Sequence, residues 1–398
     1  MSVFSQRYLQ LDFLRGFAVL GIFQINILYF GQPYELYAFP TVAGNHDWYN
    51  SIAWFISSLF IEGSMYGLFS LLFGASALLI LDKITDNDCA LGTVDFYYRR
   101  MMWLIVIGIV HAYILLSPME ILLAYGVLGL TLFPLRKLNA WTLLIAGVLL
   151  FLLGMFDFII ISDAEASSLP SAEEDKLSVS SLLTDIRLFR SDYAAIFYGN
   201  LELAASWQSV NFFEDHLYDA GGMMLIGMAF YKWKIITGER PWWLYLLFML
   251  TGYSLALLLR WPEHHMLYLS DFDPEVFYAQ SNGPNLLGRL FLVMGHIGFL
   301  LTLYRLAFMQ WFVRLLANCG KMALSHYLLQ TIFSIVLFYG FGAGYYGHFE
   351  RYELMMIATA FAIVQIIISQ FWMGSFQFGP AEWLWRSLAK KQLQPFIK

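Results

Sequence analysis

The chain has 398 residues, of which 59% are hydrophobic and only 13% charged, and its mean hydropathy is +0.61. Apolar blocks of about 20 residues recur from end to end, each long enough to span a bilayer, so the chain reads as a polytopic integral membrane protein. The net charge of −6 says little about partners because most charges sit in loops, and no region is basic enough to engage nucleic acid. The first apolar block contains Arg15, Gly16 and Asn26 and has no small-residue cleavage site, so it is expected to be a retained helix and not a signal peptide. Asp12 and Arg15 stand three residues apart on one helical face, and Asn26 lies roughly 16 Å deeper.

Apolar runs predict ten spans, at roughly 11–30, 51–81, 100–117, 120–135, 140–161, 214–231, 241–260, 286–305, 317–341 and 352–374. Lys and Arg alternate between the connecting loops. Seventeen of the 23 fall on one side, including Arg15, Arg99, Arg100, Lys321 and Arg386, and the positive-inside rule makes that side cytoplasmic. The expected fold is therefore all-α: about ten transmembrane helices in two groups of five, with both termini inside. Residues 1–161 form the first half and 214–398 the second. Residues 162–213, polar and acid-rich, are an outer segment with short helices that either caps a site or serves as a solvated linker. Cys89 and Cys319 both fall on the reducing side and form no disulfide framework.

Charged side chains within the hydrocarbon are costly, which marks ionisable residues there as functional candidates. Glu62 interrupts the second span in Glu62-Gly63-Ser64; His111 sits near the middle of the third, Glu120 follows, and His296 and His326 occupy the eighth and ninth. Each histidine alone is more often a satisfied interhelical contact than a catalyst. Together with Asn26, their similar depths predict one shared polar cavity between helices. In the outer loop, Asn45-His46-Asp47 places an imidazole beside a carboxylate at the membrane surface, suited to general-base chemistry. Capping of the next helix by Asp47 or Asn50 is the competing reading. Asp215-His216 with Asp219 is an incomplete ligand set, and no metal site is expected. Phosphate-binding glycine loops, dinucleotide fingerprints and nucleophile elbows are absent.

Several of these segments resemble signatures of the YeiB-like membrane proteins, a family long called a domain of unknown function. They are Leu11-Asp-Phe-Leu-Arg-Gly-Phe-Ala18, Glu62-Gly63 followed by Leu68 to Gly74, Arg99-Arg100, Gly108 to Ala112 and Glu120-Ile-Leu122. Further on come Gly320-Lys-Met-Ala-Leu-Ser325, Tyr327 to Thr331 and Gly379-Pro-Ala-Glu-Trp-Leu-Trp-Arg386. The matches keep their order over nearly the whole chain. That family is in turn similar to the transmembrane acyltransferases, which include the lysosomal heparan glucosaminide N-acetyltransferase and bacterial sugar O-acyltransferases. The chain departs from the family pattern where basic residues usually follow Glu62-Gly63 and Ser64, Met65 and Tyr66 stand here. It also has Lys321 for Arg, His326 for Asn and Met119-Glu120 for Gly-Asp.

The resemblance implies a multi-pass protein of the bacterial cytoplasmic (inner) membrane that takes an acyl group, acetyl in the leading reading, from acyl-CoA on the cytoplasmic side. The acceptor would be an extracytoplasmic sugar, lipid or amine. In that reading Arg15, Arg99, Arg100, His111, Lys321 and His326 hold the acyl-CoA. His46 activates the acceptor, Asp47 or Glu62 orients it, and Asn26 donates to the developing oxyanion. The expected partners are membrane lipids, a small-molecule or glycan acceptor and a second copy of the chain. The rival reading is a proton-coupled transporter of a small solute that uses the same buried histidines and Glu62 as a relay. A third is a catalytically silent scaffold or sensor.

Overall fold

The computed structural model describes residues 8–41, 47–85, 90–117, 119–168, 179–273, 276 and 283–398. Among them all regular structure is helical, apart from one antiparallel bridge between Phe376 and Ile397. The helices, numbered in chain order, begin with α1 (Leu9–Gly31), α2 (Tyr34–Ala38), α3 (Trp48–Ile56), α4 (Ser64–Thr85) and α5 (Ala90–Ile109). Next come α6 (Leu122–Leu135), α7 (Ala140–Ser168), α8 (Val179–Phe189), α9 (Tyr193–Asn211) and α10 (Gly221–Lys232). The last six are α11 (Trp242–Leu269), α12 (Gly283–Arg305), α13 (Gln310–Lys321), α14 (Ala323–Phe338), α15 (Arg351–Ser375) and α16 (Pro380–Lys390). π-helical turns extend α3 (Ser57–Ile61) and α5 (Val110–Ile114) and precede α10 (Phe212–Ala220).

Among the described residues five helical stretches are long and apolar enough to cross a membrane: Leu9–Gly31, Trp48–Asp82, Trp242–Leu269, Pro284–Arg305 and Arg351–Ser375. A sixth forms if Ala307–Lys321 and Ala323–Phe338, bent by 76° at Met322, count as one. The ten apolar runs of the sequence exceed these because several runs are not single helices. The run from 214 begins inside a π-helical stretch and leaves only the 12-residue α10. Glu62-Gly63 breaks the Trp48–Asp82 stretch as its sequence suggests, with Gly63 at φ +71, a left-handed conformation that favours glycine.

Burial separates centre from rim. The apolar windows of Leu9–Gly31 and Trp48–Asp82 are 61% and 67% buried, whereas those of Trp242–Leu269 and Arg351–Ser375 are 17% and 22% buried. Helices α1 and α4 are thus the axis of the bundle, and α11 and α15 turn most of their surface to lipid. The two expected halves interleave: α1 packs against α13, α14 and α15, and α4 against α10.

Both crossings are made by glycine. A Cβ on Gly16 would overlap the carbonyl oxygen of Leu316, and one on Gly320 would overlap that of Asp12. Gly74 meets the carbonyl of Met224 in the same way, and Gly227 that of Leu71. In lipid no hydrophobic force drives helices together, so close backbone approach at small residues supplies van der Waals contact instead. Gly16→Ala and Gly320→Ala should each destabilise the protein by about 1–3 kcal/mol through overpacking. Gly374, with nothing within 4 Å of its would-be Cβ, is the control; Gly374→Ala should be neutral or gain up to about 1 kcal/mol. Thermal unfolding in detergent separates the two classes, and equal shifts at all three positions would refute the crossing.

Candidate functional site

The α1–α13 crossing places Asp12 and Arg15 beside Gly320 and Lys321, at the edge of a cavity of about 910 Å³. Its wall on α1 is the single stripe Tyr8, Leu11, Asp12, Arg15, Val19 and Ile22. That stripe rises about 21 Å along the helix, more than half the roughly 30 Å of a hydrocarbon core. At the open end stand the exposed Lys398 and the tail residues Gln394 and Pro395, together with Arg386 and Lys390 of α16. At the inner end are the buried Ile121, Leu122, Tyr125 and Tyr327, with Phe69 and Phe73 of α4 and Leu104 of α5. The cavity is therefore a well with a charged mouth and an apolar floor.

Among the described residues six basic side chains line it (Arg15, Arg100, Lys321, Arg386, Lys390 and Lys398) against two acids, Asp12 and Glu382, in a chain whose net charge is −6. Arg15 donates to Asp12 Oδ1 at 3.0 Å and to Ser76 Oγ at 2.8 Å. The Arg100 guanidinium lies 3.8 Å from the Trp385 ring centroid, a cation–π contact, while its buried Nε has no hydrogen-bond partner. Trp385 Nε1 returns a bond to the Arg100 carbonyl at 2.8 Å, which fixes α16 against α5. Glu382 is otherwise engaged: it accepts from the backbone N–H groups of Leu324 (2.7 Å) and Ser325 (3.1 Å), capping α14. A carboxylate at a helix N-terminus neutralises that end's partial positive charge, so it does little to offset the cations. Burial pushes the Glu382 carboxyl up, and the bonds from Ser325 and Leu324 oppose that.

Along α1 the same face continues into a second, smaller hollow of about 90 Å³ at the other end of the bundle. Asn26, Tyr29, Phe30 and Tyr34 form one wall; Ser117, Met119, Tyr339 and Tyr346 another; Asp185, Phe189 and Leu203 of α8 and α9 close it. Helices α8 and α9, from the acid-rich segment, thus contribute to the lining of this hollow. Ile22 lines the cavity and Asn26 the hollow, only about 6 Å apart along the helix. Similarly Met119 faces the hollow and Ile121 the cavity, with the fully buried Glu120 between them.

Glu120 sits in this partition with its Oε2 accepting from Leu123 N–H at 2.9 Å and its Oε1 from Leu122 N–H, so it caps α6. Gly108 leaves room for that carboxylate, which a Cβ there would crowd. His111, also fully buried, has Nδ1 3.5 Å from Glu120 Oε1, an ion-pair distance without hydrogen-bond alignment, and Nε2 2.8 Å from Thr331 Oγ1. Its ring centroid lies 4.9 Å from that of Tyr327, which lines the cavity floor. The imidazole is thus held between a carboxylate and a hydroxyl, immediately behind the wall separating the two hollows.

The other expected site residues are scattered. His326 is bonded to Ser369 (2.6 Å) and Gln365 (3.1 Å), and His296 to Tyr253 (2.9 Å) and the Phe60 carbonyl (3.0 Å). They share no space with Asn26, because each buried imidazole finds its partners on the nearest helix. Arg99 turns from the cavity to donate to the Ala389 carbonyl at 2.8 Å. Asp47 is exposed at the start of α3, and His46 lies outside the described residues. Glu62 accepts from Tyr37, whose ring centroid is 4.2 Å from that of Tyr29 in the outer hollow. Sequence reading did not assign Arg386, Lys390 and Lys398 to a site, nor Asp185, Tyr339 and Tyr346, which line the hollow. The (i, i+4) pair Arg386 and Lys390 on an amphipathic terminal helix was the available signal. Among the described residues no group of three or more His, Cys, Asp or Glu side chains is placed to hold a metal ion.

The profile of a family described as a protein of unknown function (DUF418) matches residues 230–392, which includes the Gly320 crossing and α16. The uncharacterised proteins YxaH of Bacillus subtilis (strain 168) and YeiB of Escherichia coli (strain K12) are each 27% identical to the chain. The match covers 99% and 98% of this chain, and 97% and 98% of theirs. Over nearly its whole length the chain is similar to these YeiB-like proteins. An uncharacterised 39.9 kDa protein from Bacillus acidopullulyticus is 24% identical over 99% of the chain. No solved structure matches it. Around Glu62-Gly63 basic side chains arrive from other helices: Arg289 packs against Gly63, and Arg351 donates to the carbonyl of Tyr37, whose hydroxyl donates to Glu62.

The cavity mouth carries a pH signature. Burial, and then the neighbouring Arg386, hold the Lys390 ammonium below the usual lysine range. A lysine with a lowered pKa is charged at neutral pH and loses its proton earlier as pH rises. Binding of an anionic probe such as coenzyme A should therefore weaken between neutral pH and about pH 10, before an ordinary lysine titrates. Lys390→Arg should shift that decline upward. An unchanged pH profile in the variant would place Lys390 outside the binding surface.

Proposed function

We propose that this YeiB-like protein is a membrane-bound acyltransferase. It takes an acyl group, acetyl in the simplest case, from acyl-CoA in the cationic cavity and passes it to a hydroxyl or amine presented in the outer hollow. The observation that carries this reading is the thin partition: two hollows from opposite ends of the bundle, one helical turn apart on α1, with His111 and Glu120 between them. The charged mouth suits the phosphates of a coenzyme A, and the apolar floor its thioester arm. The volume of about 910 Å³ is at the upper end of the roughly 300–1,000 Å³ usual for small-molecule sites.

In the reaction the acceptor oxygen or nitrogen attacks the thioester carbonyl carbon, its proton passes to His111, and the C–S bond breaks. The proton on His111 then goes to the departing thiolate. Glu120 stabilises the imidazolium meanwhile, and Asn26 donates to the oxyanion. Most basic residues lie at the cavity mouth or on its side of the bundle, so the mouth is cytoplasmic by the positive-inside rule. In this topology the shorter apolar helices complete about ten crossings in two groups of five, with both termini inside, in the bacterial inner membrane. The same pair of opposed hollows suits a proton-coupled carrier of alternating access, the second reading.

Purified protein given radiolabelled acetyl-CoA and a membrane extract decides between them. Acyl transfer predicts labelled product and free coenzyme A. Arg100→Glu should weaken acetyl-CoA binding by at least about tenfold, since reversing a buried charge costs more than 1.4 kcal/mol. His111→Gln should cut turnover about 10²- to 10⁴-fold with donor affinity nearly unchanged. If His46→Ala abolishes transfer while His111→Gln preserves it, the base is in the outer loop and not in the partition. Solute flux in vesicles without any thioester consumption would select the carrier.

A further inference from the structure

The outer hollow has a chemistry of its own. Four tyrosines line it, with Tyr29 and Tyr34 stacked at a centroid distance of 6.3 Å on one side, and Tyr346 stacked on Phe189 at 4.5 Å on the other. Among the described residues Asp185 is its one charged lining residue. Glu35 of α2 is close enough to raise the Asp185 carboxyl further, after burial, above the usual carboxylate range. The Glu35 Oε2 atom is itself buried and has no hydrogen-bond partner. Arg190, the cation beside Tyr346, spends its Nε (2.8 Å) and Nη2 (2.6 Å) on the Tyr346 carbonyl and does not line the hollow. Two carboxylates repelling each other beside aromatic faces make a region of negative potential, and ring faces attract cations.

We infer that the outer hollow binds a small organic ammonium group, held by the Asp185 carboxylate within a cage of Tyr29, Tyr34, Tyr339 and Tyr346. A volume of about 90 Å³ admits an aminoalkyl head of a few heavy atoms and not a whole sugar. The mouth is open to a ligand through Tyr34, which is 56% exposed. The inference deepens the acyltransferase reading, and rests on it for the reaction, by naming the acceptor as an amine. The bound ammonium gives up one proton to His111 and, as the neutral amine, its nitrogen bonds to the thioester carbonyl carbon. The C–S bond breaks, the second amine proton is lost to solvent, and the thiolate takes the proton from His111, leaving an amide and free coenzyme A. A neutral hydroxylated acceptor gains at most a hydrogen bond from Asp185, without the charge attraction.

The test uses full-length protein in detergent and two probes of equal size, ethanolamine and ethylene glycol, with binding read by saturation-transfer NMR and coenzyme A affinity measured in parallel. Ethanolamine should bind at least about tenfold more tightly, the least a desolvated carboxylate with cation–π contacts should give. Asp185→Asn should erase that preference, Asp185→Glu should keep most of it, and Tyr34→Leu should weaken it about two- to fivefold. Unchanged coenzyme A affinity in the variants certifies that they are folded. Equal binding of the two probes, or a preference that survives Asp185→Asn, overturns the inference while leaving the acyl-CoA site intact. Ethanolamine binding with no coenzyme A binding upholds the cage and removes the acyltransferase reading.

Discussion

The site depends on the contact between α1 and α13, where Gly16 and Gly320 bring two backbones within reach of each other's carbonyl oxygens. Any side chain at either position would hold the helices apart. That separation would pull Lys321 away from Arg15 and widen the cavity at the level where its charges are concentrated. The closeness is obtained without polar glue at the crossing itself, which leaves the neighbouring Arg15 and Asp12 free to face inward with Ser76. A membrane protein that gathers several cations around one cleft must offset their desolvation. Here the offsets are local: a carboxylate for Arg15, an indole face for Arg100 and an amide oxygen for Lys321.

A second theme is the use of carboxylates as helix caps at the ends of the cavity. Glu120 closes the N-terminus of α6 at the floor, and Glu382 closes that of α14 nearer the mouth. Each satisfies backbone N–H groups that lipid would leave bare. In doing so each is a poor repellent of anions. The well therefore keeps its positive character although its lining includes acids. The same capping holds the Glu120 carboxylate 3.5 Å from His111 Nδ1, in a position it cannot readily leave.

What could be read from sequence followed the geometry of single helices. Asp12, Arg15 and Asn26 are ordered along one face of α1, and a rise of 1.5 Å per residue sufficed to place them at different depths. The family resemblance, and the basic character of Arg15, Arg100 and Lys321, came through because membrane-edge charges mark themselves. Depth, however, says nothing about rotation. His326 and His296 lie deep, as their positions implied, yet each points to a separate partner. Arg386, Lys390 and Lys398 reach the mouth only because α16 folds back under the bundle and Trp385 bonds to Arg100. The outer hollow combines residues 26 to 346, a convergence that no local pattern encodes. Apolar runs likewise do not reveal where a π turn or a bend such as that at Met322 divides them.

Arginines from far along the chain reach the π turn after α3 and the neighbouring α2. Arg260 donates to the Ser58 carbonyl, and Arg351 to Ser57 Oγ and to the carbonyl of Tyr37, which precedes it in sequence by 314 residues. At roughly 5–20 residues per second a ribosome needs about 16 to 60 s to make that interval. During that time the first spans are already in the bilayer with these acceptors waiting. The early helices must therefore hold themselves near water or lipid headgroups, and the bundle can lock only when its last long helix arrives. Assembly is thus timed from the C-terminal end, and a chain halted before Arg351 would be an inserted but unfastened protein, marked for proteolysis by its open backbone.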